Sequence, residues 1–248
     1  MISRSLAGLL LGGFLLFPAC CFAQNRTIDV DLKNVQGPLN TTFKTMVGAG
    51  RANEGLGADW QQQLAEIKRD ADFKYIRMHG LLTDDMAVYR VNGQGKEQYN
   101  FQYVDALFDF LLSINVKPFV ELGFMPSAMA SGNKTIFWWR GNVTPPASYD
   151  KWETLIKTLT EHFTERYGAA EVSTWYFEVW NVPNLDGFWA GSQQDYFKLY
   201  TYAARAIKSV NPKYKVGGPA TAGAAWIAET IAYCVQNKVP LDFVSTHA

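Results

Sequence analysis

The side chains able to do chemistry in this chain stand where apolar runs stop. Trp175-Tyr176-Phe177-Glu178-Val179-Trp180 is aromatic and β-branched with no Gly or Pro inside it, and Asn181, Val182, Pro183, Asn184 and Gly187 follow at once. That composition predicts a strand buried on both faces, as in a parallel sheet, opening into a loop at its carboxyl end. His79 and His247 close two further runs of this kind. In an α/β barrel the carboxyl ends of the strands are where chemistry is placed. Each residue also has a plainer reading. Asn serves turns by bonding its own backbone, and a lone His at a strand end is more often structural. Glu121 and Glu178 lie inside their runs and are expected as buried, hydrogen-bonded carboxylates, because a bare buried charge is costly. Arg77 is expected to stay among the strands, paired with a carboxylate. No His, Cys and Asp cluster has metal-ligand spacing, so neither a metal nor another cofactor is expected.

The elements that must position these groups alternate. Strands are predicted at Met46 to Gly50, Lys74 to His79, Lys117 to Gly123, Trp175 to Trp180, Lys215 to Gly218 and Leu241 to Thr246. Helices are predicted at Asp59 to Ala71, Tyr103 to Ile114, Tyr149 to Tyr167, Gln194 to Val210 and Ala224 to Asn237. In the third helix Trp152, Leu155, Ile156, Leu159 and Phe163 recur on one face at helical spacing. Ser192 and Asp195 form a possible capping box for the fourth. Strand and helix in turn, with no long run of either, predict a parallel α/β fold. An open doubly wound sheet and a barrel both fit that order. No Gly-x-Gly-x-x-Gly follows a strand, so the dinucleotide fingerprint is absent. Long loops rich in aromatic and polar residues after the second, third and fourth strands favour the barrel, with its site on that face.

The 248 residues are 48% hydrophobic, enough for one sizeable core. Lys+Arg and Asp+Glu are 23 each, so net charge points to neither nucleic acid nor an anionic membrane. Aromatic content of 15% suits sugar stacking and a large core equally. The first 23 residues read as a signal peptide: Arg4, an apolar run from Leu6 to Phe17, and Cys21-Phe22-Ala23 before Gln24. The run is shorter than the roughly 20 residues a membrane span needs. A lipoprotein site at Phe17-Pro18-Ala19-Cys20 is a poorer match because of Pro18. A secreted or periplasmic protein is therefore expected, with Cys234 left as a single core thiol. Residues 24–44 are polar and read as an extended leader, in which the alternation Ile28 to Leu32 suggests an accessory strand. The sequons at Asn25, Asn40, Asn133 and Asn142 fit the N-glycosylation pattern, which has meaning only in a eukaryotic source.

Trp175-Tyr176-Phe177-Glu178-Val179-Trp180-Asn181-Val182-Pro183-Asn184 resembles the fourth barrel strand of glycoside hydrolase family 39, the β-xylosidases and α-L-iduronidases. Val47 to Ala52 looks like the family's first strand, Phe73 to Gly80 with Asp84-Asp85-Met86 its second, Pro118 to Pro126 its third, and Asp242 to His247 its sixth. Gly141-Asn142-Val143-Thr144-Pro145-Pro146 precedes the third helix as in the family. The resemblance covers about residues 45–248 and implies a (β/α)8 TIM barrel of which about the first six strands are present. It implies a retaining glycosidase of the β-xylosidase type acting on xylo-oligosaccharides. His79, Asn181 and His247 would then line the sugar subsite, with Asn181 bonding the 2-hydroxyl.

Two departures from the pattern bear on activity. The family has Glu as general acid/base where this chain has Val182, and an isopropyl group transfers no proton. Glu178 is four residues earlier, about 13 Å along a strand and towards the interior. Asp186, four residues later on the loop, is the nearer substitute. The family's nucleophile is a Glu at the end of a seventh strand, whereas this chain ends after the sixth. Retaining enzymes need two carboxyl groups about 5 Å apart, so an impaired enzyme is expected. A non-catalytic carbohydrate-binding remnant and an exopolysaccharide hydrolase of the same family are the alternatives. Six strands without closure leave two open sheet edges, from which poor folding in isolation is expected. The oligomeric state is not legible.

Overall fold

The computed structural model describes residues 27–247. Six strands form one sheet: β1 (Met46–Arg51), β2 (Tyr75–His79), β3 (Lys117–Leu122), β4 (Tyr176–Val179), β5 (Lys215–Ala222) and β6 (Phe243–His247). They lie in chain order and every pair is parallel. The connecting helices are α1 (Ala58–Ala71), α2 (Gln102–Ser113), α3 (Tyr149–Tyr167), α4 (Gln193–Val210) and α5 (Ile227–Asn237). The loops after β2 and β3 each carry a small antiparallel hairpin, Tyr89–Val91 with Glu97–Tyr99 and Thr135–Ile136 with Gly141–Asn142.

The sheet is rolled rather than flat, and four aromatic side chains on its concave face show it. Three strand steps separate β3 from β6, about 14 Å in a flat sheet, yet the rings of Phe119 on β3 and Phe243 on β6 are 5.6 Å apart. Tyr75 on β2 and Tyr176 on β4 meet at 5.4 Å, and Tyr176 meets Phe243 at 5.3 Å. Gly217 of β5 makes room for this layer, since a Cβ there would stand 2.7 Å from the Phe243 ring. The result is an incomplete (β/α)8 barrel, curled through its first six strands, not an open doubly wound sheet.

The convex side holds the core. Trp152, Leu155, Ile156, Leu159 and Phe163 of α3 are fully buried, as their spacing requires. The Ser148 side chain accepts the Lys151 N–H at the start of this helix, and Ser192 and Asp195 form the expected capping box on α4. Cys234 is buried and free, as a core thiol should be.

Several boundaries differ from the sequence reading, each for a visible reason. The expected strand ending at Gly218 continues through Pro219 to Ala222. The β4 pairing has already ended at Gly217, so the N–H that Pro219 lacks has no partner to lose on that side. The helix expected from Ala224 begins at Ile227, because Ala224 and Trp226 have φ of 54° and 61° and cannot join an α-helix. Of the apolar residues of α1, Leu64 is buried and Ile67 is 51% exposed. Residues 27–39 form a separate unit without helix or strand, so the alternation at Ile28 to Leu32 builds no accessory strand. The predicted signal peptide lies outside the described residues. Among the described residues no helix is long and apolar enough to cross a membrane.

Candidate active site

Alternation along β2 sends Arg77 and His79 to the concave face and Ile76 and Met78 to the core. The same rule brings Glu121 from β3 and Glu178 from β4 together, and the two are direct register partners. Arg77 ties them. Its Nε donates to Glu178 Oε2 at 2.6 Å, and its Nη2 lies 2.9 Å from Glu121 Oε2. Nη2 also donates to Asn181 Oδ1 at 3.0 Å. That bond fixes the orientation of the Asn181 amide: with Oδ1 accepting from Arg77, Nδ2 is the end left to donate. His79 Nδ1 stands 2.6 Å from Glu121 Oε2, which orients the imidazole. The expectation of buried, paired carboxylates holds, since Glu121 and Glu178 are 1% and 2% exposed.

A cavity of about 470 Å³ opens on the concave side, with Arg77, His79, Glu178, Ser245 and His247 in its wall, while Glu121 and Asn181 stand behind it. His79 from β2 and His247 from β6 thus meet at one mouth only because the sheet curls. Asn181 joins them through Arg77. Glu178, set aside in the sequence reading as too deep, lines the cavity as well. Ser245 was missed there, because a lone Ser in a strand carries no signal.

Charge in this site is uneven. Burial raises the Glu178 carboxyl above its ordinary value, opposed by Arg77. Burial alone would lower Arg77, but Glu121 and Glu178 outweigh it and hold the guanidinium charged. Loss of solvent, then Arg77 and His79, lower His247 from 6.5, with Glu121 opposing. The His247 imidazole is therefore neutral at pH 7. Its NMR titration should show a midpoint below 6.5. The unfolded chain binds the extra proton first as the pH falls, so His247 costs stability in the window below 6.5 and nothing above it. A midpoint at or above 6.5 contradicts this placement.

Val182 sits where the loop leaves β4. Its N–H donates to Ala220 O at 3.0 Å, and Ala220 lines the cavity. Two residues on, Asn184 exchanges bonds with the Ala222 backbone, Nδ2 to O at 3.1 Å and N–H to Oδ1 at 2.9 Å. The loop is thus fastened to the end of β5, and residue 182 is held beside the mouth. Its φ is 52°, a left-handed conformation that a β-branched residue adopts only under strain. Asp186 is exposed, and its carbonyl accepts Lys134 Nζ at 2.6 Å. Among the described residues no hydrogen bond or ion pair joins its carboxylate to the cavity.

The aromatic residues of the loops at this face, Trp138, Trp139, Phe188 and Trp189, divide between rim and core. Trp189 is 3% exposed, packs on Trp180 at 4.9 Å and donates Nε1 to Ser192 O, so it belongs to the core and not to a sugar platform. Trp138 is 79% exposed, with the Arg51 guanidinium 4.8 Å from its ring. Trp139 stacks on Phe137 at 5.1 Å, and Phe188 meets Phe137 edge-on. Phe137 stacks on His79 at 6.3 Å and was not singled out. Its position beside Trp138 and Trp139 was the available signal. The Asn142 sequon is committed to the fold, with Nδ2 donating to Gly132 O and Oδ1 accepting the Thr144 N–H. Among the described residues no group of three or more His, Cys, Asp and Glu is placed to hold a metal ion.

Comparison with known proteins places this geometry. The model for glycosyl hydrolases family 39 matches residues 26–248. A β-xylosidase of Caldicellulosiruptor saccharolyticus is 51% identical over 212 residues, 85% of this chain and 43% of that protein. An α-L-iduronidase of Mus musculus is 32% identical over 168 residues, 66% of this chain and 25% of that protein. The crystal structure of a monomeric β-xylosidase from Caulobacter crescentus superposes with a TM-score of 0.82 at 43% identity, over 87% of this chain and 44% of that one. The chain spans less than half the length of these relatives.

Proposed function

Because the chain belongs to glycoside hydrolase family 39, we propose that its concave cavity takes the terminal pentose of a β-xyloside or xylo-oligosaccharide, in the frame of a retaining hydrolase. One observation supports the reading: His79 of β2 and His247 of β6 line one cavity, Glu121 orients His79, and Arg77, in the same wall, holds Asn181 at the end of β4. Asn181 donates Nδ2 to the 2-hydroxyl, and the neutral His247 imidazole pairs with a further hydroxyl. Glu121 and Glu178 do not serve as the catalytic pair, since Arg77 binds both and they face each other across adjacent strands instead of across a scissile bond. Val182 stands in the proton donor's place, and hydrolysis of substrates whose leaving group needs protonation is impaired accordingly. The first 23 residues direct export.

An aryl xyloside with an activated leaving group, which needs little protonation, tests this reading. Slow release of the aryl group, with xylose competing for the cavity, is the result expected if an attacking carboxylate is supplied. The hydrocarbon at position 182 favours a second reading, a carbohydrate-binding domain without turnover, and binding of methyl β-xyloside with no aryl release supports that one. Absence of both binding and release refutes the assignment of the cavity.

A further inference from the structure

The antiparallel hairpin that follows β2 turns at its tip through Asn92-Gly93-Gln94-Gly95-Lys96. Asn92 is the only asparagine of the chain followed by Gly. Its side-chain Oδ1 accepts two backbone N–H groups, from Gln94 at 3.0 Å and from Lys96 at 2.9 Å. With Oδ1 so held, Nδ2 is the free end of the amide, and among the described residues it makes no hydrogen bond. The backbone of the tip is engaged in the same way. Asn92 N–H donates to Lys96 O at 2.9 Å and Gly95 N–H to Asn92 O at 2.9 Å, with Gly95 at a φ of 77° that favours glycine. Of the N–H groups from Asn92 to Lys96, Gly93 alone finds no acceptor among the described residues.

That arrangement sets an electrophile beside a nucleophile. An Asx turn folds the side-chain carbonyl back towards the peptide that follows it, so Cγ of Asn92 and the nitrogen of Gly93 belong to one hydrogen-bonded ring. The two N–H donors on Oδ1 stand where negative charge collects when a nucleophile adds to Cγ, as donors do that stabilise acyl-transfer intermediates. Gly93 has no side chain to obstruct the approach, and a Cβ built there meets nothing within 4 Å, so the tip is open to water.

We propose that Asn92 is a site of self-catalysed deamidation, with water as the only co-reactant. The Gly93 nitrogen bonds to Asn92 Cγ, its proton passes through water to Nδ2, and the Cγ–Nδ2 bond breaks to release ammonia and leave a cyclic imide. Water then opens the imide at either carbonyl, giving Asp or isoaspartate at position 92, and nothing is oxidised or reduced. The two products act differently on the hairpin. An Asp carboxylate accepts the same two N–H groups. Isoaspartate carries the main chain through the former side chain, adds a methylene and breaks the turn. That loosens the ladder pairing Val91 with Glu97 and Tyr89 with Tyr99, and with it the ion pair of Glu97 with Lys151 of α3. The reaction is independent of what the concave cavity binds.

Peptide mapping by mass spectrometry of the full chain, incubated in neutral and in mildly alkaline buffer, tests this. Asn92 should convert before any other asparagine, with isoaspartate detected by isoaspartyl methyltransferase labelling. Conversion should be faster in the alkaline buffer, because the attacking peptide nitrogen must lose its proton. Gly93→Ala, whose methyl group has open space, should lose the conversion while its circular dichroism stays unchanged. The parent chain unfolded in urea should convert no faster than the folded chain. Asn92 still intact after other asparagines have reacted, or Gly93→Ala converting at the parent rate, overturns the proposal. Faster conversion in urea overturns it as well, since the hairpin would then shield the amide instead of aligning it.

Discussion

Replacing Arg77 by Met destabilises the chain by about 3–5 kcal/mol, the usual cost of stranding a buried charge. The size follows from the geometry. Arg77 is the shared partner of two carboxylates that are 1% and 2% exposed, and its loss leaves Glu121 with His79 and Glu178 with no ion pair among the described residues. The Met side chain fills the space but leaves Glu121 and Glu178 facing one another across adjacent strands. Glu178→Gln in the Arg77→Met background should recover part of the loss, because it removes one of the two stranded charges. Both are read from the urea midpoint followed by circular dichroism. A loss below about 1 kcal/mol, the range of solvated pairs, would mean that water fills this side of the half-barrel and that Arg77 does not organise the site. The same substitution releases Asn181, so methyl β-xyloside binding should weaken with stability.

Val182→Glu carries the largest expected effect on catalysis. A general acid/base is worth about 10²–10⁴-fold. In a chain extended through a strand that bears the attacking carboxylate, Val182→Glu should raise hydrolysis of unactivated xylo-oligosaccharides by that factor. An activated aryl xyloside, whose leaving group departs unprotonated, should gain far less in its glycosylation step. The contrast between substrates is the diagnostic readout, since a general improvement in folding would raise both alike. Val182→Asn is the companion control. Asn tolerates the left-handed conformation found at φ 52° better than Val, so it should relieve strain of about 1 kcal/mol without restoring proton transfer. No gain from Val182→Glu on either substrate would mean that residue 182 does not face the scissile bond.

The alternation of elements was legible because each helix had a self-contained signal. The buried stripe of α3 and the capping box of α4 are local patterns, and both form as read. Boundaries failed where a neighbouring chain segment decided them. Pro219 stays in β5 because β4 has already stopped pairing, and α5 starts late because Ala224 and Trp226 are left-handed. Which loop aromatics reach solvent was decided in the same way. Trp189 and Trp138 look alike as loop tryptophans, and only packing against Trp180 puts the first in the core.

By itself the sequence determined the order of strands and helices, the residues standing at the strand ends, and the hydrocarbon at position 182, because propensity, periodicity and motif are properties of neighbours along the chain. Tertiary structure alone decided that β2 and β6 come within reach of one cavity and that a single guanidinium holds Glu121, Glu178 and Asn181. Those relations join residues as far as 168 positions apart, as with His79 and His247, which would be four strand steps apart if the sheet were flat. They depend on how far the sheet rolls, and that is set by the sum of side chains packed on its concave face, such as Phe119, Tyr176 and Phe243, which no local pattern records.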